Sequence, residues 1–398
     1  MADRGGLPPI SMFTTDPLRA SAAHRPVSAV VYDDDEQGWL ALRHADVSVM
    51  LRDASFKKDP ARAIPGPYTD ALLAGDWSML FTDDDVHRRL RGLVSQAFTK
   101  RATEAARPWI QQIADELLET LDASEGPVDL ISSFATPFPV DVIAEILGID
   151  RADRAEFKRW SDDIALTFDS TLDDTTAARV AASGQELHDY LGEVIRARRA
   201  QPREDLISSL VQAEDADGSQ LSDAEAVRAI AELLFGGNAT TTDLIGNGIL
   251  AFLRHPDQLA ALRADPTLIT NAVEEILRYD TSVVIGDRIP TTDIELDGCP
   301  ITAGQWVWPV LTSANRDPAV HPDPDRFDIR REPIHHVSFG GGPHYCLGAP
   351  LARMETQIAI GSLFARYPQL QLADPSAEPN HKNVYAFRGL ADLYVTLS

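Results

Sequence analysis

A short stretch around one cysteine carries the residue types best suited to chemistry. Residues 339–353 read F-G-G-G-P-H-Y-C-L-G-A-P-L-A-R, with Cys346, one of only two cysteines, at the centre. The glycines and proline before it exclude a strand interior or a helix, whereas Leu347, Leu351 and Met354 recur at helical spacing after it. We therefore predict that Cys346 lies where a tight loop enters a helix, whose unpaired N–H groups and dipole favour a thiolate. The alternative is a buried structural cysteine beside a glycine turn.

Two basic residues upstream share one predicted helix face. His87 and Arg91 are four residues apart, and the acidic residues 83–85 stand where a helix N-terminus favours negative charge. A basic pair on one face either binds an anion or lies on a solvent-exposed surface. Further along, Glu275 and Arg278 have the i, i+3 spacing of an ion pair, which alone is typical of a surface helix.

A long helix is predicted from residue 223 to about residue 255. Ser222 and Glu225 form a capping box at its start, and roughly 32 residues of helix span roughly 48 Å. Gly236 and Gly237, followed by threonines at positions 240–242, are poor helix formers in its middle. We interpret this segment as making room, or a local opening, for a bound group; a close crossing with another helix is the alternative.

Bulk composition excludes several classes of partner. The formal net charge of −25 argues against binding to nucleic acid or to an anionic membrane, since both require a basic surface. Two cysteines provide no disulfide framework, which fits a reducing cytoplasm. The N-terminus has no apolar signal region and no run of 18 apolar residues occurs, so we expect a cytoplasmic protein.

Residues 1–398 contain no fixed repeat and no low-complexity linker, which predicts one continuous domain. Residues 27–32 and 38–42 predict a β-hairpin, residues 44–52 a short helix, and I-E-L-D-G-C-P-I a second hairpin with an Asp-Gly turn. Helical patterns dominate the rest, so the expected fold class is mainly α with a small β subdomain.

The pattern F-x-x-G-x-H-x-C-x-G over residues 339–348 follows the H-x-x-x-R, glycine–threonine and E-x-x-R patterns in order. Together they resemble the cytochrome P450 family, soluble bacterial type, over essentially the whole chain. The resemblance implies a fold enclosing one haem b (iron protoporphyrin IX), with Cys346 as the axial thiolate ligand of the iron. It also implies further haem contacts, four of them basic groups at the propionates: His87, Arg91, Arg288, His344, Gly237, Phe339 and Gly348.

The same resemblance assigns the segments that cover the substrate. Residues 59–80 correspond to a variable flap, and residues about 159–199 to two lid helices. Glu275 and Arg278 are implied to form a buried charge network with Arg326, in P-D-P-D-R-F. The implied pocket residues are Met79, Phe235, Gly236, Val284 and Ala386.

The sequence departs from the family pattern in the long helix. Thr240 takes the position of the threonine that organises proton delivery, but the acid that usually precedes it is replaced by Ala239. Three explanations follow. Protons pass through Thr240 and water alone; Asn238 or Asp243 substitutes, Asp243 being one helical turn from Ala239; or a hydroxyl of the substrate assists.

The implied activity is that of a haem-thiolate monooxygenase, which inserts one atom of O2 into a small organic substrate, such as a specialised metabolite, by hydroxylation or epoxidation. The chain has no room for a flavin or nicotinamide domain, so electrons are expected from a separate ferredoxin and its reductase. A candidate docking face comprises Arg88, Arg89, Lys100, Arg101 and Arg353. The alternatives are oxidative coupling or desaturation without oxygen transfer, a peroxide-driven enzyme, and a non-catalytic haem sensor.

Overall fold

Helices predominate in the computed structural model, which describes residues 16–34, 37–74, 78–95, 98, 100–124, 126–166, 173–214, 218, 220–382, 384 and 386–397. The helices are α1 Pro17–His24, α2 His44–Arg52, α3 Pro67–Ala74, α4 Asp84–Ser95, α5 Lys100–Leu121, α6 Pro137–Leu147, α7 Arg154–Ala165, α8 Asp174–Ala200, α9 Leu206–Gln212, α10 Asp223–Arg254, α11 Pro256–Ala264, α12 Ile269–Tyr279, α13 Leu311–Asn315 and α14 Ala349–Arg366. The strands are β1 Val30–Asp33, β2 Gly38–Ala41, β3 Phe56–Lys57, β4 Val128–Asp129, β5 Ile289–Pro290, β6 Ile294–Leu296, β7 Cys299–Ile301, β8 Val307–Pro309, β9 Gln371–Leu372 and β10 Tyr394–Thr396. The predicted class, mainly α with small sheets, is confirmed.

Helix α10 is the longest element and begins at the predicted capping box. The Ser222 hydroxyl accepts from the Glu225 N–H at 3.3 Å, and the Glu225 carboxylate accepts from the Ser222 N–H at 2.8 Å. The helix continues unbroken through Gly236 and Gly237 and packs against α6, α8 and α14. Room in its middle therefore comes from missing side chains, and the backbone does not open locally.

Both predicted hairpins form in the small sheets. In the first, β1 pairs antiparallel with β2, which pairs in parallel with β8. In the second, β6 and β7 are joined through Asp297 and Gly298, whose φ angles of 52° and 76° suit the Asp-Gly turn of a tight hairpin. The predicted short helix at residues 44–52 is α2, which packs against β8 and against the turn just before Cys346.

Several elements surround the site proposed from the sequence. The range 59–80 contains the short turn Pro60–Arg62 and α3, and residues 75–77 within it lie outside the described part of the chain. The range 159–199 contains the end of α7 and most of α8, so the two helices predicted there are present. None of the helices in the described ranges is long and apolar enough to cross a membrane.

Candidate active site

One cavity of about 520 Å³ separates the cysteine loop from the middle of α10. Its volume lies within the range typical of ligand sites, roughly 300–1,000 Å³. Most of the residues predicted from the sequence line it: Met79, His87, Arg91, Phe235, Gly236, Gly237, Thr240, Arg288, Phe339, His344, Cys346, Gly348 and Ala386. Residues far apart in the sequence thus converge on one space.

The loop before Cys346 is held by its own backbone and by its glycines. The Cys346 N–H donates to the Phe339 carbonyl at 2.9 Å, which closes the loop immediately before α14. Gly340 and Gly342 have φ angles of 70° and 63°, and a Cβ on Gly342 would lie 2.8 Å from the Leu51 carbonyl oxygen. Glycine is therefore required at position 342 both by conformation and by the close approach of α2.

Opposing effects act on the thiol of Cys346. Burial raises the pKa of this thiol above its usual value, and it is the largest influence. The N–H groups of Gly348 and Ala349 and the positive charges of Arg91 and Arg353 act in the opposite direction. The helix start thus supplies the donors expected from the sequence, but burial outweighs them, so the thiolate needs a further positive partner such as a metal ion.

A cluster of basic groups lines the edge of the cavity. The rings of His87 and His344 lie 4.2 Å apart, and His344 Nε2 lies 3.3 Å from a carboxylate oxygen of Asp83. Burial lowers the pKa of His344 to about 4 despite the opposing effect of Asp83. The pKa of His87 is also lowered, mainly by burial and then by the charge of Arg91.

The two arginines of this edge are tied to backbone carbonyls. Arg91 donates to the carbonyl of Tyr345, and Arg288 donates to those of Met50 and Leu51 at 3.1 and 3.3 Å. Burial lowers the pKa of Arg288 to about 10. Buried cationic groups with lowered pKa values are stabilised by carboxylates, so this edge fits the two propionates of a haem.

Thr240 is positioned on the α10 wall of the cavity. Its hydroxyl donates to the Gly236 carbonyl at 2.8 Å, one turn earlier in the same helix. A Cβ added at Gly236 would meet no atom within 4 Å, because this position faces open space. The hydroxyl therefore lies beside a volume that can admit a small ligand.

Neither of the residues predicted to replace the missing acid reaches the cavity wall. Asn238 is buried and its amide donates to the Ser161 hydroxyl at 2.5 Å, on the side of α7. Asp243 is buried and accepts from Lys382 Nζ at 2.7 Å. Burial raises the pKa of Asp243 in spite of Lys382. Both side chains hold α10 against neighbouring elements, so the geometry contradicts their assignment to proton delivery at the cavity.

The pocket assignment of Val284 is also wrong by one residue. Val284 is fully buried in a hydrophobic cluster with Leu40 and Trp308, whereas Val283 and Ile285 line the cavity. The segment is extended, so neighbouring side chains point to opposite sides. The sequence alone does not show which of these side chains face the cavity and which face the hydrophobic cluster, because all three residues are apolar.

The charge network contains Arg331 in place of Arg326. Glu275 is fully buried and accepts from Arg278 at 2.7 and 2.8 Å and from Arg331 Nε at 3.2 Å. The side chain of Arg326 is 62% exposed and faces Asp328 at 3.6 Å. Position 326 contributes only its carbonyl, which accepts from both network arginines at 3.1 and 2.9 Å.

Five charged residues of the cavity wall were missed by the sequence reasoning: Lys58, Arg228, Glu232, Asp287 and Glu355. Lys58 and Glu355 are buried, and Glu232 of α10 accepts N–H groups from residues 78–80. Burial raises the pKa of Glu355 well above its usual value. Glu355 could have been found, because it lies four residues after Leu351 on an apolar helix face. Lys58 and Glu232 carry no comparable signal.

These features fit a flat cofactor held by one thiolate. Gly236 of α10 and Gly348 at the start of α14 both line the cavity, and a Cβ added at either would meet no atom within 4 Å. Cys346 stands beside Gly348, and the basic cluster lies at one edge. A haem is bound in this way, with one axial cysteine, open faces and cations at its propionates.

Comparisons with known proteins agree with this interpretation. Residues 49–383 match the sequence profile of the family described as Cytochrome P450. The cytochrome P450 monooxygenase PikC of Streptomyces venezuelae is 43% identical over 365 residues, which cover 90% of this chain and 86% of PikC.

Solved structures show the same fold. P450BioI, determined with hexadec-9Z-enoic acid ligated acyl carrier protein, has a TM-score of 0.88 and 36% identity, covering 97% of this chain and 100% of P450BioI. CxnD, a cytochrome P450 enzyme for C–S bond formation in chuangxinmycin biosynthesis, has a TM-score of 0.84 and 36% identity, covering 96% of this chain and 94% of CxnD. The chain therefore belongs to the cytochrome P450 family, whose cofactor is haem.

Proposed function

We propose that this O2-dependent oxidoreductase inserts one oxygen atom into a largely apolar organic substrate, with electrons supplied by a separate ferredoxin and its reductase. The observation that carries the proposal is a cavity lined by both Cys346, beside the start of α14, and Thr240 of α10. Bound haem supplies the O2 chemistry, and the chain's own residues orient the cofactor, exclude water and position the substrate.

The first experiment is the absorption spectrum of the dithionite-reduced protein under carbon monoxide. A strongly red-shifted Soret band, as thiolate-ligated haem gives, is expected. A band at the position of histidine-ligated haem would contradict ligation by Cys346. Cys346→Ser is the matched variant and is expected to lose the red-shifted band.

Thr240 is proposed to organise proton delivery. It is a hydroxyl on the cavity wall beside the open position at Gly236, whereas Asn238 and Asp243 are directed elsewhere. Thr240→Ala is expected to raise the release of hydrogen peroxide relative to product. Thr242→Ala is the control, since Thr242 is buried and its hydroxyl donates to the side-chain oxygen of Asn238 at 3.4 Å, so it does not face the cavity. Unchanged coupling in Thr240→Ala would contradict the proposed role.

A largely apolar substrate is supported by the lining of the cavity and by the relatives. Phe81, Ile143, Phe235, Val283 and Ile285 contribute apolar side chains to it. P450BioI was solved with a fatty acyl chain on a carrier protein. Binding is measured by the change of iron spin state when candidate substrates are titrated into the haem-loaded protein.

Transfer of electrons from a ferredoxin is proposed to use cations near the cysteine loop. Three arginines of the predicted docking face are already paired: Arg89 with Glu225 at 2.7 Å, Arg353 with Glu274 at 2.6 Å, and Arg88 with Asp85. Arg101 is exposed, and the side chain of Lys100 lies outside the described residues. Arg101→Glu is therefore the sharper test, and it is expected to slow reduction by an acidic ferredoxin at low salt.

The rate of reduction by the ferredoxin is measured for Arg101→Glu and the unaltered protein at several ionic strengths. Screening by salt should remove the difference between Arg101→Glu and the unaltered protein, because an exposed charge acts over about a Debye length. A reduction rate that is independent of both the variant and the salt concentration would contradict electrostatic docking at this face. We further propose that this exchange takes place in the cytoplasm, which the free thiol of Cys299 supports.

A second candidate function is oxidative coupling without oxygen transfer. It is favoured by the similarity to CxnD, which is described as forming a C–S bond. Product mass separates the two functions, since oxygen insertion adds one oxygen atom and coupling or desaturation removes two hydrogen atoms. Tight binding of gas ligands without turnover by any electron source would instead indicate a sensor.

A further inference from the structure

A buried lysine faces the cavity without a polar partner. Lys58 is 6% exposed and lies among the cavity-lining residues. Its Nζ lies 5.0 Å from the centroid of the Phe81 ring, and within the described ranges this atom has no hydrogen bond or ion pair. An ammonium group removed from water is costly unless it is paired, so a partner is expected when the site is filled.

The nearby carboxylates are already engaged with other groups. Asp83 accepts from the backbone N–H groups of Lys58 and Asp59 at 2.8 Å, and Glu232 accepts from those of residues 78–80. Asp287 accepts from the Tyr68 hydroxyl at 2.5 Å. None of these acids contacts Lys58 Nζ, so no carboxylate in the described part of the chain neutralises it and a bound molecule can supply the partner.

Lys58 lies near the cations assigned to the haem, since besides burial its charge contributes to the lowered pKa values of His87 and His344. His87, Arg91, Arg288 and His344 provide four basic groups for two propionates. The Lys58 side chain instead packs on Phe81, in the segment that follows Met79 and is fastened to Glu232. Met79 and Phe81 line the same cavity as Lys58. Because four other basic groups are available for the two propionates, we expect the partner of Lys58 to be part of the substrate.

We propose that Lys58 binds a carboxylate of the substrate, so that the enzyme prefers an apolar molecule carrying one acidic group. The proposal rests on the proposed monooxygenase function and specifies the substrate class for the same cavity. The acidic group would lie beside Lys58 Nζ on the side away from the Phe81 ring, while the apolar remainder extends along Val283 and Ile285 towards Thr240.

Protonation of Lys58 is compatible with this role. Burial lowers its pKa to about 8, and the charge of Arg288 acts in the same direction, whereas Asp287, Glu232 and Asp83 act against it. The group is therefore mainly positive at pH 7. A carboxylate at contact distance raises the pKa further, because an opposite charge favours the ionised form.

The test compares a matched acid and ester in the haem-loaded protein. Tetradecanoic acid and methyl tetradecanoate are titrated into the unaltered protein, Lys58→Met and Lys58→Arg, with binding followed by spin shift and by equilibrium dialysis. The unaltered protein is expected to bind the acid about tenfold more tightly than the ester. Lys58→Met should lose this preference by weakening only the acid, and Lys58→Arg should retain it.

Two results would overturn the proposal. One is equal binding of acid and ester, or weaker binding of the acid, by the unaltered protein. The other is equal weakening of both probes in Lys58→Met together with faster loss of haem to apomyoglobin, which would assign Lys58 to a propionate. Dialysis does not depend on turnover, and the carbon monoxide spectrum is recorded on each variant, so failure of the monooxygenase function is recognised separately.

Discussion

The buried charge network offers a comparison between two arginines five residues apart. We predict that Arg331→Met strongly destabilises the protein and that Arg326→Met does not. Arg331 donates to Glu275 at 3.2 Å and to the carbonyls of Pro322 and Asp323 at 2.7 and 3.0 Å. The bonds at Arg326 are made by its carbonyl, which a change of side chain leaves in place.

The magnitude follows from what remains after each change. Removal of one partner from a buried ion pair costs about 3–5 kcal/mol when the other is left unpaired. In Arg331→Met, Glu275 keeps its two bonds to Arg278, so the expected loss is smaller, about 2–4 kcal/mol. The exposed side chain of Arg326 should change the free energy of unfolding by less than about 0.5 kcal/mol.

Glu275→Gln removes the charge of the carboxylate that both network arginines share. Its carboxylate is fully buried and is the shared partner of Arg278 and Arg331, so its loss leaves two guanidinium groups without a counter-charge. We expect the largest destabilisation of the three variants, at or above about 4 kcal/mol.

The assay is urea unfolding of the haem-loaded proteins, followed by far-ultraviolet circular dichroism and by the Soret band. The expected order of stability is unaltered protein and Arg326→Met together, then Arg331→Met, then Glu275→Gln. Equal losses in the two arginine variants, or a larger loss in Arg326→Met, would refute the assignment of Arg331 to the network.

Three further predictions concern the cavity and its supports. Asp243→Asn and Lys382→Met should each lower stability, because each breaks the pair between the buried Asp243 carboxylate and the partly exposed Lys382. Peroxide release by the folded Asp243→Asn enzyme should not change; increased release would restore Asp243 to proton delivery. Val283→Phe should weaken substrate binding by filling the cavity, whereas Val284→Ala should cost about 2 kcal/mol of stability and leave substrate affinity unchanged, as titrations and urea midpoints will show. Folding lowers the pKa of Lys58 from 10.5 to about 8, so between these pH values the unfolded chain binds more protons at Lys58 than the ligand-free folded protein does. The stability of the unaltered protein should therefore rise with pH relative to that of Lys58→Met. Urea midpoints that change with pH in the same way for both proteins would contradict this.

Elements with local signals were predicted well from the sequence. The capping box of Ser222 and Glu225 fixed the start of α10, because its two hydrogen bonds involve residues only three apart. The hairpin around Asp297 and Gly298 was likewise predictable, since both residues accept the positive φ angles of a tight turn. In each case the determining interactions lie within a few residues.

The errors occurred where distant packing decides between neighbours. Val283 and Val284 are identical in type, and only their packing against other elements determines which one faces the cavity. Arg326 and Arg331 both contribute to the network, one through its carbonyl and one through its side chain. The family resemblance identified the cysteine loop, but sequence spacing does not report which atom of a loop residue is used.

The structure removes one of the three explanations for how protons are delivered with Ala239 in place of the usual acid. Asn238 binds the buried Ser161 and Asp243 binds the partly exposed Lys382, and neither Asn238 nor Asp243 lines the cavity, so neither is placed to deliver a proton there. The remaining explanations need only the Thr240 hydroxyl, water or the substrate itself. Proton delivery through Thr240 and water can be distinguished from delivery through the substrate by comparing substrates that differ in one hydroxyl group. If coupling of oxygen consumption to product depends on that group even in Thr240→Ala, the substrate provides the proton path; if it depends only on Thr240, the helix does.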